Sequence, residues 1–296
     1  MLPVFYFSIL LGAFTVSKFL GSPERIVSIL SKIMFWIYPC LIFTSVTHHF
    51  DRAKLIQSIH LPIFTFIILA VGYAIGKSLA PKVSRSQKSK STFVFMSTVP
   101  NYIFLPMTII QPLWGSEAVS RLILTTLGSD LFLWTLGVGT FSRRSSWWRS
   151  LINPPFITMI TSILIVAIEI DFLIGVGHLS YPILSPIGQM TVPLSIIILG
   201  LTLGRTSLKE FDKSTAALVG LRLIFIPALG FLCLPLLPIP SLDRNILFLI
   251  CTMPAALATL VITEIFNGDT EYAARGVFAT HLCGAFTIPI WCYFFF

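Results

Sequence analysis

Apolar residues in this chain come in long stretches separated by short polar breaks. Ten such stretches can be drawn, near residues 2–20, 26–47, 60–80, 91–112, 119–141, 154–175, 182–204, 214–236, 243–265 and 272–295. Each is long enough to cross roughly 30 Å of hydrocarbon as a helix. The pattern therefore predicts an all-α membrane protein with ten transmembrane helices, and no remaining segment could build a soluble domain. Composition agrees: 55% of residues are hydrophobic and 11% charged, against about 25% charged in soluble domains. The first stretch has no basic leader and no small-residue cleavage site, so it reads as a retained span.

The stretches repeat. Pro100 and Pro254 lie near the middle of apolar helices and are 154 residues apart, as are Thr98 and Thr252. The same offset relates the decapeptide from Leu30 to Pro39 to that from Leu184 to Pro193, with four identities. Five spans per half is an odd number, so the second copy must insert upside down relative to the first. Residues 1–150 and 151–296 then form two inverted five-helix repeats, an arrangement that resembles inverted-repeat transporters. In such proteins broken helices meet at the membrane midplane, which places helices four and nine, broken at their prolines, across one another.

Charge fixes the expected orientation. With the N-terminus outside, Lys18, Arg25, Lys32, Lys77, Lys82, Arg85, Lys88, Lys90, Arg143, Arg144, Arg149, Arg205, Lys209, Lys213 and Arg275 lie at cytoplasmic ends. Arg52, Lys54, Arg121 and Arg244 lie outside. Both termini are expected outside, and the net charge of +8 reflects topology and interaction with anionic headgroups rather than a nucleic-acid partner. The five cysteines lie in or beside spans without metal-ligand spacing, and neither a metal nor a cofactor is expected.

The chemistry concentrates at the two breaks. Pro100 has no N–H for the carbonyl of Met96, Pro106 none for that of Tyr102, and Pro254 none for that of Ile250. In hydrocarbon such freed groups need a protein neighbour, a water or a ligand. Ser97, Thr98 and Asn101 flank the first break, and Thr252 and Thr259 the second. Past each break a new half-helix offers unpaired N–H groups and the positive end of its dipole, which favours an anion. A plain proline kink is the competing reading of either break alone.

The motifs Met253-Pro254-Ala255-Ala256, Asn267-Gly268-Asp269 with Glu271, Thr287-x-Pro289, Asn153-Pro154-Pro155, Val192-Pro193-Leu194 and Pro100-Asn101 with Trp114-Gly115 together resemble the auxin efflux carrier family over the whole chain. The resemblance implies a scaffold of helices one, two, six and seven and a mobile transport domain of helices three to five and eight to ten. It implies a small organic anion, such as auxin or a dicarboxylate, bound where helices four and nine cross, with elevator-like transport. Asn101, Pro100 and Pro254 carry over as site residues. Departures are Pro106 in place of a glycine, Thr108 in place of a proline and Ala258 at a position often Asn, which weakens the usual substrate contacts. The long cytoplasmic loop of the plant carriers is absent, and with it their kinase-regulated control.

Charged groups within spans add three candidates. Asp130 is either a proton or coupling-ion site, or one half of a buried Asp–His or Asp–hydroxyl pair. His281, at comparable depth, is its candidate partner or a packing histidine. Arg222 either neutralises an anionic substrate or snorkels to the inner interface. Glu264 is the expected partner of Arg275, and Trp147-Trp148 and Phe294-Phe295-Phe296 are expected interfacial anchors.

The leading reading is a secondary transporter of small organic anions in the lipid bilayer of a bacterial inner membrane. A proton or sodium ion is the candidate coupling partner, and a homodimer through the scaffold the candidate assembly. A sodium-coupled symporter of the bile-acid type and a non-transporting membrane sensor are the alternatives. No catalytic constellation of an enzyme is visible.

Overall fold

The structure is a computed structural model describing residues 2–20, 23–84, 86–141, 152–169, 171–204 and 211–296. Arg85, Arg143, Arg144, Arg149, Arg205, Lys209 and the Trp147-Trp148 pair lie outside the described residues. Among the described residues the fold is helical, and the one extended pairing is an isolated antiparallel bridge between Pro100 and Ala255.

The first compact unit comprises Met1–Pro62, Ile103–Leu127 and Leu151–Arg205. It contains α1 (Leu2–Ser17), α2 (Pro23–His49), the short α3 (Arg52–Gln57), α7 (Pro154–Ala167), α8 (Asp171–Gln189) and α9 (Thr191–Leu203). The helix α2 packs against α7, α8 and α9, and α1 against α9. Leu41, Ile42 and Val46 of α2 are buried, as are Ile196 and Leu199 of α9. Asn153-Pro154-Pro155 starts α7 by ordinary helix-end chemistry. The Asn153 side chain accepts from the N–H of Phe156 at 3.0 Å, and the prolines fill positions that need no donor.

The second unit comprises Ile63–Tyr102, Gly128–Ser150 and Thr206–Phe296. It holds most of α4 (His60–Val83), then α5 (Gln87–Thr98), α10 (Lys213–Gly220), α11 (Ile226–Cys233), α12 (Ser241–Thr252), α13 (Ala258–Ile265) and α14 (Thr270–Phe295). The long α14 packs against α5, α10, α12 and α13. Asp269 caps it, accepting from the N–H of Tyr272 at 3.0 Å and from the hydroxyl of Ser89 at 2.5 Å. The Asn267-Gly268-Asp269 motif is thus a helix start, with Asn267 left-handed at φ 54. Between α10 and α11 the helix widens into a π turn, Leu221–Phe225, and the indole N–H of Trp291 donates to the Leu223 carbonyl at 2.8 Å.

The chain passes from one unit to the other within α4 and within α6 (Phe104–Phe132). The latter is not one rod: Gly115 has φ 77 and ψ −170, which divides it into 104–114 and 116–132. Only glycine takes that backbone conformation cheaply, so Trp114-Gly115 is a turn between two helices.

Among the described residues, six helical runs are long and apolar enough to cross a membrane: Arg25–His49, Arg52–Val83, Phe104–Thr140, Leu179–Thr202, Lys213–Leu236 and Thr270–Phe295. This is fewer than the ten apolar stretches for physical reasons. The breaks at Pro100 and Pro254 cut two stretches into short helices. The run from Phe104 joins two stretches through the Gly115 turn, and α1 and α7 have only 16 and 14 residues.

Two expected contacts differ. Arg275 reaches Asp212 at 3.4 Å rather than Glu264, because Asp212 caps α10, which packs on α14. Phe295 is stacked on buried Phe248 at 3.7 Å, so of the terminal aromatics only Phe294 and Phe296 keep largely exposed faces.

Candidate functional site

The helix α5 stops at Thr98 because Pro100 cannot continue its hydrogen bonding, and α12 stops at Thr252, two residues before Pro254. The two freed strands then pair. The N–H of Asn101 donates to the carbonyl of Pro254 at 2.8 Å, and the N–H of Ala256 donates to the carbonyl of Val99 at 3.0 Å. Two helix breaks 154 residues apart thus satisfy each other by one short antiparallel bridge. Ala255 and Ala256 permit the approach, and the N–H of Ala255 donates to the Thr280 hydroxyl of α14 at 3.3 Å. Val99, Met253 and Ala255 are fully buried.

Close approach is arranged from behind by α4. A Cβ on Gly76 would fall 2.0 Å from the Ser97 hydroxyl oxygen, and one on Gly72 would fall 3.1 Å from the Ser97 carbonyl. These two glycines, four residues apart, seat the end of α5. The small-x-x-x-small spacing is the signal by which sequence reasoning could have found them.

Arg222 is the group whose placement differs most from expectation. It is 1% exposed, in the π turn. Its Nε and Nη2 donate to the Met253 carbonyl at 3.1 and 3.0 Å. Its Nη1 reaches the Ser97 carbonyl and its Nη2 the Ile250 carbonyl, both at 3.4 Å. It neither snorkels nor presents a free cation; it caps the carbonyl ends of α5 and α12. The Ile250 oxygen is the one that Pro254 deprives of its helical partner, and the Met253 N–H also donates to it at 3.3 Å.

The remaining expected site residues divide. Ser97 and Thr98 donate to the Val94 carbonyl at 2.9 and 2.7 Å, and Thr252 donates to Leu249 at 2.8 Å. Their hydroxyl hydrogens are thus engaged on their own helices. Thr259, in the first turn of α13, is fully buried and its hydroxyl finds no partner among the described residues. Asn101 is 6% exposed. Pro106 belongs to the first unit, whereas the crossover lies in the second. It sits in the first turn of α6, where no helical N–H bond is required, so it makes no second break.

Asp130 accepts from the Tyr102 hydroxyl at 2.6 Å. This is the Asp–hydroxyl pair, with a partner the sequence reading did not name, although Tyr102 directly follows Asn101. His281 stands apart from it: its Nδ1 contacts the Val277 carbonyl at 2.8 Å, and its Nε2 is buried without a partner among the described residues.

The first unit holds a separate polar cavity of about 30 Å³ lined by Thr44, Ser45, His49, Gln111, Ser116 and Tyr181, among others. It has room for a water or two, far below the few hundred Å³ of a small-molecule site.

The sequence profile of the membrane transport protein family matches residues 1–146 and 140–292. Similar proteins include an uncharacterized transporter of Methanocaldococcus jannaschii, 27% identical over 300 residues, with 96% of this chain and 94% of the relative covered. An uncharacterized transporter of Methanothermobacter thermautotrophicus is 23% identical over 260 residues, covering 86% of this chain and 83% of its own length.

Proposed function

The chain belongs to the membrane transport protein family, the auxin efflux carriers, and from that premise we propose that it is a secondary transporter of small organic anions. It is an integral membrane transporter; what is proposed is the cargo, the site and the way access alternates. The substrate binds at the crossover of the two broken helices, and access alternates in an elevator-like manner. The observation that carries this reading is the backbone exchange between Val99–Asn101 and Pro254–Ala256, which brings two half-helix pairs to one point. On one side of the second break, the start of α13 presents the positive end of a helix dipole beside the Thr259 hydroxyl, which has no partner among the described residues. Asn101 supplies a side-chain amide at the same crossing.

The repeat on which this architecture depends gains support from the element boundaries. Gln87–Thr98 and Ser241–Thr252 are both helices of 12 residues whose first and last positions are 154 apart. Phe104 and Ala258, where helix resumes after each break, keep the same offset. Within the first unit, α1 packs on α9 and α7 on α2, the pairing that exchanging the halves would reproduce. These regularities favour two inverted five-helix repeats and ten spans; the distribution of Lys and Arg, not these regularities, is what favours both termini outside a bacterial inner membrane.

Counterflow in proteoliposomes tests the reading, with labelled malonate, malate and indole acetate in turn. We expect exchange of at least one anion by the wild type and its loss in Asn101→Ala. Folded protein that exchanges none of them would sink the anion assignment. Exchange undiminished in Asn101→Ala would move the site away from the crossover.

A further inference from the structure

We propose that Arg222 is a built-in replacement for a coupling metal cation at the crossover, so that the site works without sodium. The sodium-independence of transport rests on the transporter reading above; the occupancy of the carbonyl cluster by Arg222 does not.

Three backbone oxygens converge here: Ser97 at the end of α5, and Ile250 and Met253 at the end of α12. Unwound carbonyls and helix C-terminal ends of this kind are what transporters of broken-helix architecture use to hold sodium. Each C-terminal end carries roughly half a negative charge, so two of them sum to about one. A single guanidinium balances that, and Arg222 donates four hydrogen bonds into the cluster. Among the described residues it makes no ion pair, and it is 1% exposed, so the carbonyls are the counter-charge that these residues offer it. A cation held this deep without a carboxylate persists only because these oxygens receive it.

A sodium ion would need the same oxygens. It could enter only by displacing the guanidinium or by placing a second positive charge beside it in a site closed to water, and both are strongly unfavourable. The negative poles of the crossover are therefore cancelled permanently by a covalently attached charge. The positive pole at the start of α13 is not cancelled by any acidic side chain of that helix's first turn. That asymmetry leaves the crossing selective for an anion in any ionic medium.

The test uses the purified full-length protein and reads thermal unfolding first. Replacing sodium by choline at constant ionic strength should leave the wild-type midpoint unchanged. Arg222→Ala should lower it by on the order of 10 °C. Methylguanidinium at sub-denaturing concentration, or sodium, should restore part of that loss, and choline should restore none. Arg222→Lys keeps the charge and should stay insensitive to sodium, which preserves the test if the alanine variant does not fold. A wild-type midpoint that rises saturably with sodium overturns the proposal, as does an alanine variant indifferent to which cation is added. Counterflow then separates the two ideas. Anion exchange that requires sodium in the wild type refutes the role of Arg222 and leaves the transporter reading standing. No anion exchange at all, with the stability pattern as expected, refutes that reading and leaves the role of Arg222 intact.

Discussion

A carboxylate within a span has to be answered by something, and Asp130 is answered by the Tyr102 hydroxyl at 2.6 Å. The pair ties the second unit's portion of α6 to the residue next to Asn101. A protonation change at Asp130 would be felt one residue from the crossover. In Asp130→Asn the pH dependence of exchange should therefore flatten while exchange at its optimum persists. Tyr102→Phe should move the profile without abolishing it. An unchanged profile in Asp130→Asn, read by counterflow over a pH series, would remove Asp130 from any proton-coupled role. At this scale the sequence was legible in part. That Asp130 and Arg222 need partners follows from burial alone, but which partners does not. Tyr102 is separated from Asp130 by 28 positions, and Arg222 from Ser97 by 125.

The helices end where their residues require it, and most ends could be read in advance. Asn153, Asp212 and Asp269 each cap a helix through a side-chain oxygen that takes the third N–H beyond it. Pro100 and Pro254 stop α5 and α12 because proline lacks the donor. What could not be read is which helix a surface meets: the small-x-x-x-small spacing marks Gly72 and Gly76 of α4, but not that they face Ser97. Gly76→Leu should cost about 1–3 kcal/mol through overpacking, seen as a lower unfolding midpoint. Gly12→Leu is the control, because a Cβ there meets nothing within 4 Å. A pH effect belongs to the start of α10. Burial raises the Asp212 carboxyl, but hydrogen bonding from Thr215, whose N–H donates to it at 2.8 Å, and the charge of Arg275 outweigh it and hold it below the usual carboxylate range. A depressed carboxylate stabilises the fold above its unfolded-state pKa, and that contribution disappears as pH falls through the folded value. The carboxylate is 42% exposed, so solvent screens the effect and it should be small. Acid unfolding of Asp212→Asn should begin from a slightly less stable state at neutral pH and show a shallower loss on acidification; identical curves would dismiss the contribution.

Over the whole molecule, the ten apolar stretches and the offset between proline breaks were visible because both are one-dimensional properties. The assignment of residues to compact units was not, since it depends on contacts between segments far apart in the chain. Pro106 shows the difference: its neighbours in sequence, Asn101 and Tyr102, belong to one unit, and Pro106 itself to the other. Each unit is assembled from three segments, and each draws on residues before and after position 150. Neither can therefore be encoded by a contiguous piece of the gene. A gene cut near codon 150 would yield two polypeptides, each holding an unfinished portion of both units. Neither half should be stable in a membrane alone, whereas co-expressed halves should find one another, survive proteolysis and restore whatever transport the intact chain performs. A half that accumulates stably without its complement would show that folding does not require this interleaving.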